Sequence, residues 1–213
     1  MTTKFLTLSA TALAATLALA GCSTGTGPGS TGTSTTGAES SSTSGPASSS
    51  AAAAAEHNAA DVMFAQMMIP HHAQAVEMSD MMLAKKDIPA EVTALATKIK
   101  AAQGPEIETM TGWLTSWNEP TQAPTGHAMS THGTGGMAGM MSDADMKKLD
   151  AAQGTEAAKL FLTQMIAHHE GAIMMAKTET AGGKNSNAVS LSKAIVTAQE
   201  AEIQEMQALL AKL

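Results

Sequence analysis

Two short stretches carry the residues best suited to chemistry. "MMIPHHAQAVEM" (67–78) and "QMIAHHEGAIMM" (164–175) each set two adjacent histidines among methionines in an otherwise apolar run. Imidazole nitrogen and thioether sulfur are both metal ligands, and the pair selects copper, with sulfur favouring Cu(I) and nitrogen favouring Cu(II). The expected cofactor is therefore copper, Cu(I) before Cu(II). The candidate ligands are His71, His72, Met68 and Met78 in the first stretch, and His168, His169, Met165 and Met175 in the second.

Helical spacing makes these sets plausible as faces. Successive side chains diverge by about 100° around a helix, so Met68 and His72, like Met165 and His169, are i,i+4 neighbours. His71 and Met78, like His168 and Met175, lie two turns apart on one side. On this geometry His72 and His169 fall deep in the apolar arc, and His71 and His168 lie nearer an edge. Gln66 falls on the opposite side. Ala75, Ser79, Ala172 and Ala176 are small and leave room beside the inner rings. Methionine at helical spacing also packs well without binding anything. A helical bundle whose histidines serve only as core is thus the competing reading.

A second pattern recurs downstream of each pair. Gln103, Glu106 and Met110 match Gln199, Glu202 and Met206 at i, i+3, i+7. A glutamate on an apolar helix face needs a partner, which a histidine or a bound cation would supply. Glu106, Met110, Glu202 and Met206 are accordingly candidate supporting groups or ligands. The segment "HAMSTHGTGGMAGMM" (127–141) adds His127, Met129, His132, Met137, Met140 and Met141 in a glycine-rich connection with no apolar periodicity. These are candidate loop metal sites. A closed zinc site would instead call for cysteines or a fixed histidine set.

The elements that must position these groups are repeats. Residues 64–78 and 161–175 are identical at seven of fifteen positions, and 98–114 and 194–210 at seven of seventeen. Alanine, methionine, leucine, lysine and glutamate dominate, tyrosine is absent, and no run of alternating β-branched residues suggests a strand. Each repeat reads as helix, short turn, helix, with Asp87, Pro89 and Gly182-Gly183 as breakers. Helices are expected near 57–85, 90–117, 143–180 and 187–212, with 118–142 as the long connection. Pro70, where the second repeat has Ala167, predicts a local kink. The fold expected is an all-α antiparallel four-helix bundle made of two repeated helical hairpins.

The amino-terminal quarter has a different character. "MTTKFLTLSATALAATLALAGC" carries one cation, an apolar run and Leu-Ala-Gly-Cys, the pattern of a bacterial lipoprotein signal at 1–21 with lipidation on Cys22. Cys22 is the only cysteine, so no intramolecular disulfide forms. Residues 22–55 are Ser, Thr, Gly and Ala with almost no charge, a lipid-anchored flexible tether. The domain is then 56–213. Without the signal the chain has 11 Lys, no Arg and 19 acids, a formal charge of −8, which argues against nucleic acid as a partner. The expected location is the extracytoplasmic face of the bacterial cell envelope. Expected partners are a metal ion, the membrane through the anchor, and a copper-handling protein.

"FAQMMIPHHAQAVEM" followed by "AAQGPEIETM", and "FLTQMIAHHEGAIMM" followed by "TAQEAEIQEM", resemble the bacterial family known as domain of unknown function 305 over roughly 57–213. The resemblance implies a ferritin-like helical fold, and some exported members, of the CopM type, bind copper. It implies copper handling outside the cytoplasm, with His71, His72, Met78, His168, His169 and Met175 as the matching positions. Residues and resemblance lead to one expectation, a copper-binding lipoprotein that sequesters or transfers the ion and is not an enzyme. A dinuclear oxidase, which ferritin-like folds also support, is the weaker alternative. Such centres use Glu-x-x-His motifs, and neither histidine pair has a glutamate three residues before it.

Overall fold

The computed structural model describes residues 56–122 and 137–213, so the lipobox, Cys22, the tether, His127, Met129 and His132 lie outside the described residues. Five α-helices follow in order: α1 (Ala59–Ala84), α2 (Ala90–Ser116), α3 (Asp143–Ala151), α4 (Gly154–Gly182) and α5 (Ser186–Leu210). No strand occurs among the described residues. The four long helices make two hairpins, α1 with α2 and α4 with α5, joined mainly by α1 packing on α4. The second helices, α2 and α5, meet only slightly, bridged by Lys98 Nζ to Glu205 Oε2 at 3.0 Å and to Glu202 Oε1 at 3.6 Å. The first helix of each repeat is therefore the inner one.

Local chemistry starts each helix where it does. Asn58 caps α1, its Oδ1 accepting from the Ala60 and Asp61 amides, while Asp61 Oδ2 accepts from the Asn58 amide at 2.6 Å. This reciprocal box satisfies donors that a helix start leaves unpaired. Asn185 caps α5, its Oδ1 accepting from the Asn187 and Ala188 amides, and Ser142 caps α3, its Oγ accepting from the Asp145 amide. α1 runs unbroken through Pro70, whose ring is exposed, and α2 runs unbroken through Pro105.

The expected single helix over 143–180 is two helices. Ala152 and Gln153 are extended, with ψ of 152° and 156°, and Gly154 opens α4 at φ +54°. That backbone favours glycine, because a side chain there is crowded against the main chain. Lys85 Nζ donates to the Asp150 carbonyl at 2.6 Å, so the break seats against the α1–α2 turn. α3 holds on through Leu149, which is fully buried.

The core falls into two clusters separated along the bundle by the histidines. One contains Met78, Met82, Leu95, Ile99, Phe161, Leu162, Met165 and Met206. The other contains Phe64, Met68, Met110, Leu114, Ala172, Ala176 and Ile195, with Met175 packed at its side. The division follows the internal repeat. Met78 of one repeat joins Met165 and Met206 of the other, and Met175 joins Met68 and Met110.

Candidate metal centre

Four imidazoles lie in the layer between these clusters. His71, His72, His168 and His169 are each no more than 1% exposed. The inner and outer histidines are thus equally buried, which corrects the expectation that His71 and His168 sit at an edge. Two contacts remove that edge. The His71 and His168 rings meet across the α1–α4 interface, with centroids 3.8 Å apart and planes inclined at 42°. A turn from the interhelix connection closes over them, and the His71 Nε2 lies 3.2 Å from the Ala138 carbonyl. Gln66, expected to face away, is also largely buried, its Nε2 donating to the Pro120 carbonyl at 2.8 Å.

Each inner histidine has a carboxylate from the neighbouring helix of its own hairpin. His72 Nε2 lies 2.7 Å from Glu106 Oε2, and His169 Nε2 lies 2.9 Å from Glu202 Oε2. Glu106 is 24% exposed and Glu202 is 7% exposed, so the second pair is the drier. The partner each glutamate needed is a histidine on the facing helix.

These contacts fix which nitrogen keeps its lone pair. A carbonyl or carboxylate oxygen only accepts, so Nε2 of His71, His72 and His169 carries the proton that is donated. In the neutral ring Nδ1 is then the acceptor. Nδ1 of all three is buried and has no hydrogen-bond partner, and neither has Nε2 of His168. Burial, reinforced by the neighbouring imidazoles, pushes His71 down to about 3 and His168 down to about 2, below the ordinary histidine value of 6.5. Burial lowers a histidine because it penalises the cation. At neutral pH these two rings are neutral, the form that binds metal. A histidine whose second nitrogen is held by a carboxylate or a carbonyl is also the usual arrangement behind a metal ligand.

The methionines stand differently. Met68, Met78, Met165, Met110 and Met206 are fully buried, and Met175 is partly exposed. They flank the histidine layer on both sides rather than forming one set around it, as the two clusters show. Among the described residues, no three His, Cys, Asp or Glu side chains are grouped so as to hold a metal by themselves.

Of the loop candidates, Met137, Met140 and Met141 are described, and all are partly buried beside the histidine layer. The Met140 amide donates to the Met137 carbonyl at 3.0 Å, with Gly139 at φ +82°, as in a type II turn. Gln74 holds the end of this turn from both sides: its Oε1 accepts from the Met141 amide at 2.7 Å, and its Nε2 donates to the Met141 carbonyl at 3.0 Å. Residue types alone did not single out Gln74 or the Ala138 carbonyl. The one available signal was that Gln74 and Gly171 occupy equivalent positions in the aligned repeats and differ. Gln103 Nε2 and Oε1 and Gln199 Oε1, one turn before the two glutamates, are buried without partners.

A second buried polar cluster lies away from the histidines. Glu179 is buried beside Asp61, with neither of its carboxyl oxygens hydrogen-bonded to a donor, and Asp61 accepts from the main-chain amides of Asn58, Lys184 and Asn185. Burial, then Asp61, pushes Glu179 up to about 8, while the donors around Asp61 hold it below the usual carboxylate range against the opposing effect of its burial.

Comparison with known proteins agrees with this architecture. The sequence profile of DUF305, domain of unknown function, matches residues 61–210. A DUF305 protein from Streptomyces coelicolor, assigned as secreted, superposes with a TM-score of 0.65 at 37% identity, over 72% of this chain and 91% of that one. A DUF305 fragment from Deinococcus radiodurans gives 0.64 at 30% identity, over 73% and 98%. CopM in its Cu(II)-bound form gives 0.60 at 32% identity, over 71% and 96%. CopM has also been solved in Cu(I)-bound, silver-bound and apo forms. No curated protein matches the sequence.

Proposed function

We propose that this chain, which belongs to the DUF305 family, is an extracytoplasmic lipoprotein that binds copper and sequesters it or hands it on. The observation that carries the reading is the layer of four buried imidazoles at the α1–α4 interface, with partnerless ring nitrogens on all four. The copper- and silver-bound CopM structures support it from outside the chain. In this reading Nδ1 of His71, His72 and His169 and Nε2 of His168 are the donor atoms, and Glu106 and Glu202 hold His72 and His169 in the required tautomer. Methionine sulfur from Met68, Met78, Met165 or Met175 completes the donors and favours Cu(I). Met110 and Met206 support the layer from α2 and α5. Copper is cargo here, and the protein is not an enzyme. Each glutamate already engages one histidine, which suits an ion-holding role better than a carboxylate-bridged dinuclear oxidase.

Cys22 anchors the protein to the membrane, and the tether of 22–55 sets the bundle off from it. The helices themselves contribute no anchor: among the described residues none is long and apolar enough to cross a membrane. His127, Met129 and His132 are further candidate ligands, and a copper-handling protein is the expected recipient.

The test is an anaerobic Cu(I) titration of the detergent-solubilised full chain against a chromophoric chelator. It is repeated with His71, His72, His168 and His169 changed to Ala, with circular dichroism to check folding. Tight binding that disappears in the folded variant supports ligation in the bundle. Binding that survives moves the site to the 127–141 connection. No competition in the wild type leaves a bundle whose histidines are core.

A further inference from the structure

The two halves of the bundle are related by the repeat, yet one segment breaks that relation directly above the histidine layer. Positions 74 and 171 are equivalent in the two repeats, and the turn Met137–Met141 rests on both of them. At 74 a glutamine grips the Met141 main chain by two hydrogen bonds. At 171 a glycine makes way, because a Cβ there would collide with the Ala138 carbonyl. Gly139 is equally tight from the other side: a Cβ on it would lie 2.6 Å from the Ala167 carbonyl oxygen and 2.9 Å from that of His168. Two glycines thus seat the turn on the α4 backbone, and one glutamine latches it to α1.

The turn covers one imidazole and leaves its counterpart without a partner. Ala138 accepts the Nε2 proton of His71, whereas the equivalent Nε2 of His168 is buried and unpaired. A solvent-borne ion reaching this side of the layer meets the strap first. The strap carries Met137, Met140 and Met141, all partly buried, with Met141 packed against the core cluster around Met78.

We infer that the Met137–Met141 strap is a latched cover over His71 and His168, held by Gln74 and seated on Gly139 and Gly171, through which metal enters and leaves the histidine layer. The inference rests on the copper-binding function proposed above and concerns the rate of exchange rather than the ligands. Gln74 is a positioning residue. It holds the strap, and through the strap the tautomer of His71, without touching the ion.

Two variants loosen the cover by different routes and leave every proposed ligand in place. Gln74→Ala removes both latch bonds, and Gly171→Ala pushes the strap from its seat while favouring the helix. With the full chain loaded with Cu(I), stopped-flow transfer to a chromophoric chelator, and capture from a weaker one, are followed in wild type and both variants. Hydrogen exchange of the Met141 amide gives a metal-free reading of the strap. Removal of about one latch bond's worth of restraint raises both rates about tenfold, the factor to which 1.4 kcal/mol corresponds. Capture and release rise together, so the affinity changes less than either rate, because the donor atoms themselves are unchanged. Faster Met141 exchange with unchanged metal rates overturns the cover. So does a rise in release alone, which would make the strap part of the coordination. Wild-type protein that binds no Cu(I) in the titration overturns the proposed function itself, and the cover with it. Unchanged Met141 exchange in both variants overturns the latch and seat as drawn.

Discussion

In metal-free protein the buried acids and histidines together predict a stability maximum near pH 6.5. Glu179 titrates at about 8 in the folded chain against an ordinary value of 4.5, so between those limits the unfolded chain has released a proton that the folded chain still holds. Stability from this group is complete below pH 4.5 and is lost as pH rises through 8, at up to about 1.4 kcal/mol per unit. His71 and His168 act in the other direction. Held at about 3 and about 2 against 6.5, they stay neutral while the unfolded chain takes up protons, so their contributions are lost as pH falls below 6.5. From pH 4.5 to 6.5 two histidines oppose one glutamate, and net stability rises with pH. Above 6.5 the histidine contributions are complete and Glu179 acts alone, giving a loss of about 2 kcal/mol by pH 8. Urea unfolding in the presence of a chelator, at half-unit steps from pH 5 to 8.5, reads this directly. Glu179→Gln keeps a donor toward Asp61 and has no proton to lose, so its curve should flatten above pH 6.5 and keep its acid limb. A wild-type curve that is level or rising from 6.5 to 8, or a Gln variant that falls as steeply, would refute the raised carboxyl at Glu179.

Three further outcomes follow from other contacts. Glu202→Gln should weaken Cu(I) binding by about 10- to 100-fold, the usual cost of removing a carboxylate behind a metal-binding histidine; Glu106→Gln should cost less, because that pair is wetter, and chelator competition ranks the two. Phe161→Ala should destabilise the bundle by about 3–5 kcal/mol in urea, since this ring is the largest fully buried side chain and its loss leaves a cavity in the cluster around Met78 and Leu95. Cys22→Ala should move the protein from the membrane fraction to the soluble envelope fraction while leaving Cu(I) affinity unchanged, as read by fractionation and titration of the same preparations.

Much of the architecture was legible because it was written twice. The repeated His-His and Gln-x-x-Glu-Ile-x-x-Met stretches located three of the four long helices, and the end of the other, to within a few residues, and the glutamate spacing pointed to a facing histidine or cation. What escaped detection was local backbone chemistry and contact at long sequence separation. Gly154 breaks the third helix through its φ of +54°, a conformation that a count of helix formers does not reveal. His71 and His168 look like edge residues on a single helical wheel, because a wheel shows neither the opposing helix nor the strap that covers them. Gln66 looks exposed for the same reason, since its partner, the Pro120 carbonyl, lies 54 residues away. Met68 and Met78 share a face with the histidines, but the rise along the helix sends them to opposite clusters. A wheel discards that coordinate.

The duplication also accounts for why the histidine layer is not symmetric. Two equivalent hairpins placed face to face give two equivalent pairs of imidazoles, but they are joined by a single connection, and one connection cannot cross a two-fold arrangement symmetrically. Wherever it passes over the layer, it must meet one repeat differently from the other. The sequence carries the mark of that difference at Gln74, which holds the strap, and at Gly171, which admits it. The neighbouring Pro70 and Ala167 differ as well, whereas the histidines at 71, 72, 168 and 169 do not. Eight of the fifteen aligned positions differ between the repeats, and both histidine positions are among the seven that do not. That distribution is expected if the four imidazoles act as one layer and the strap acts on the layer from outside.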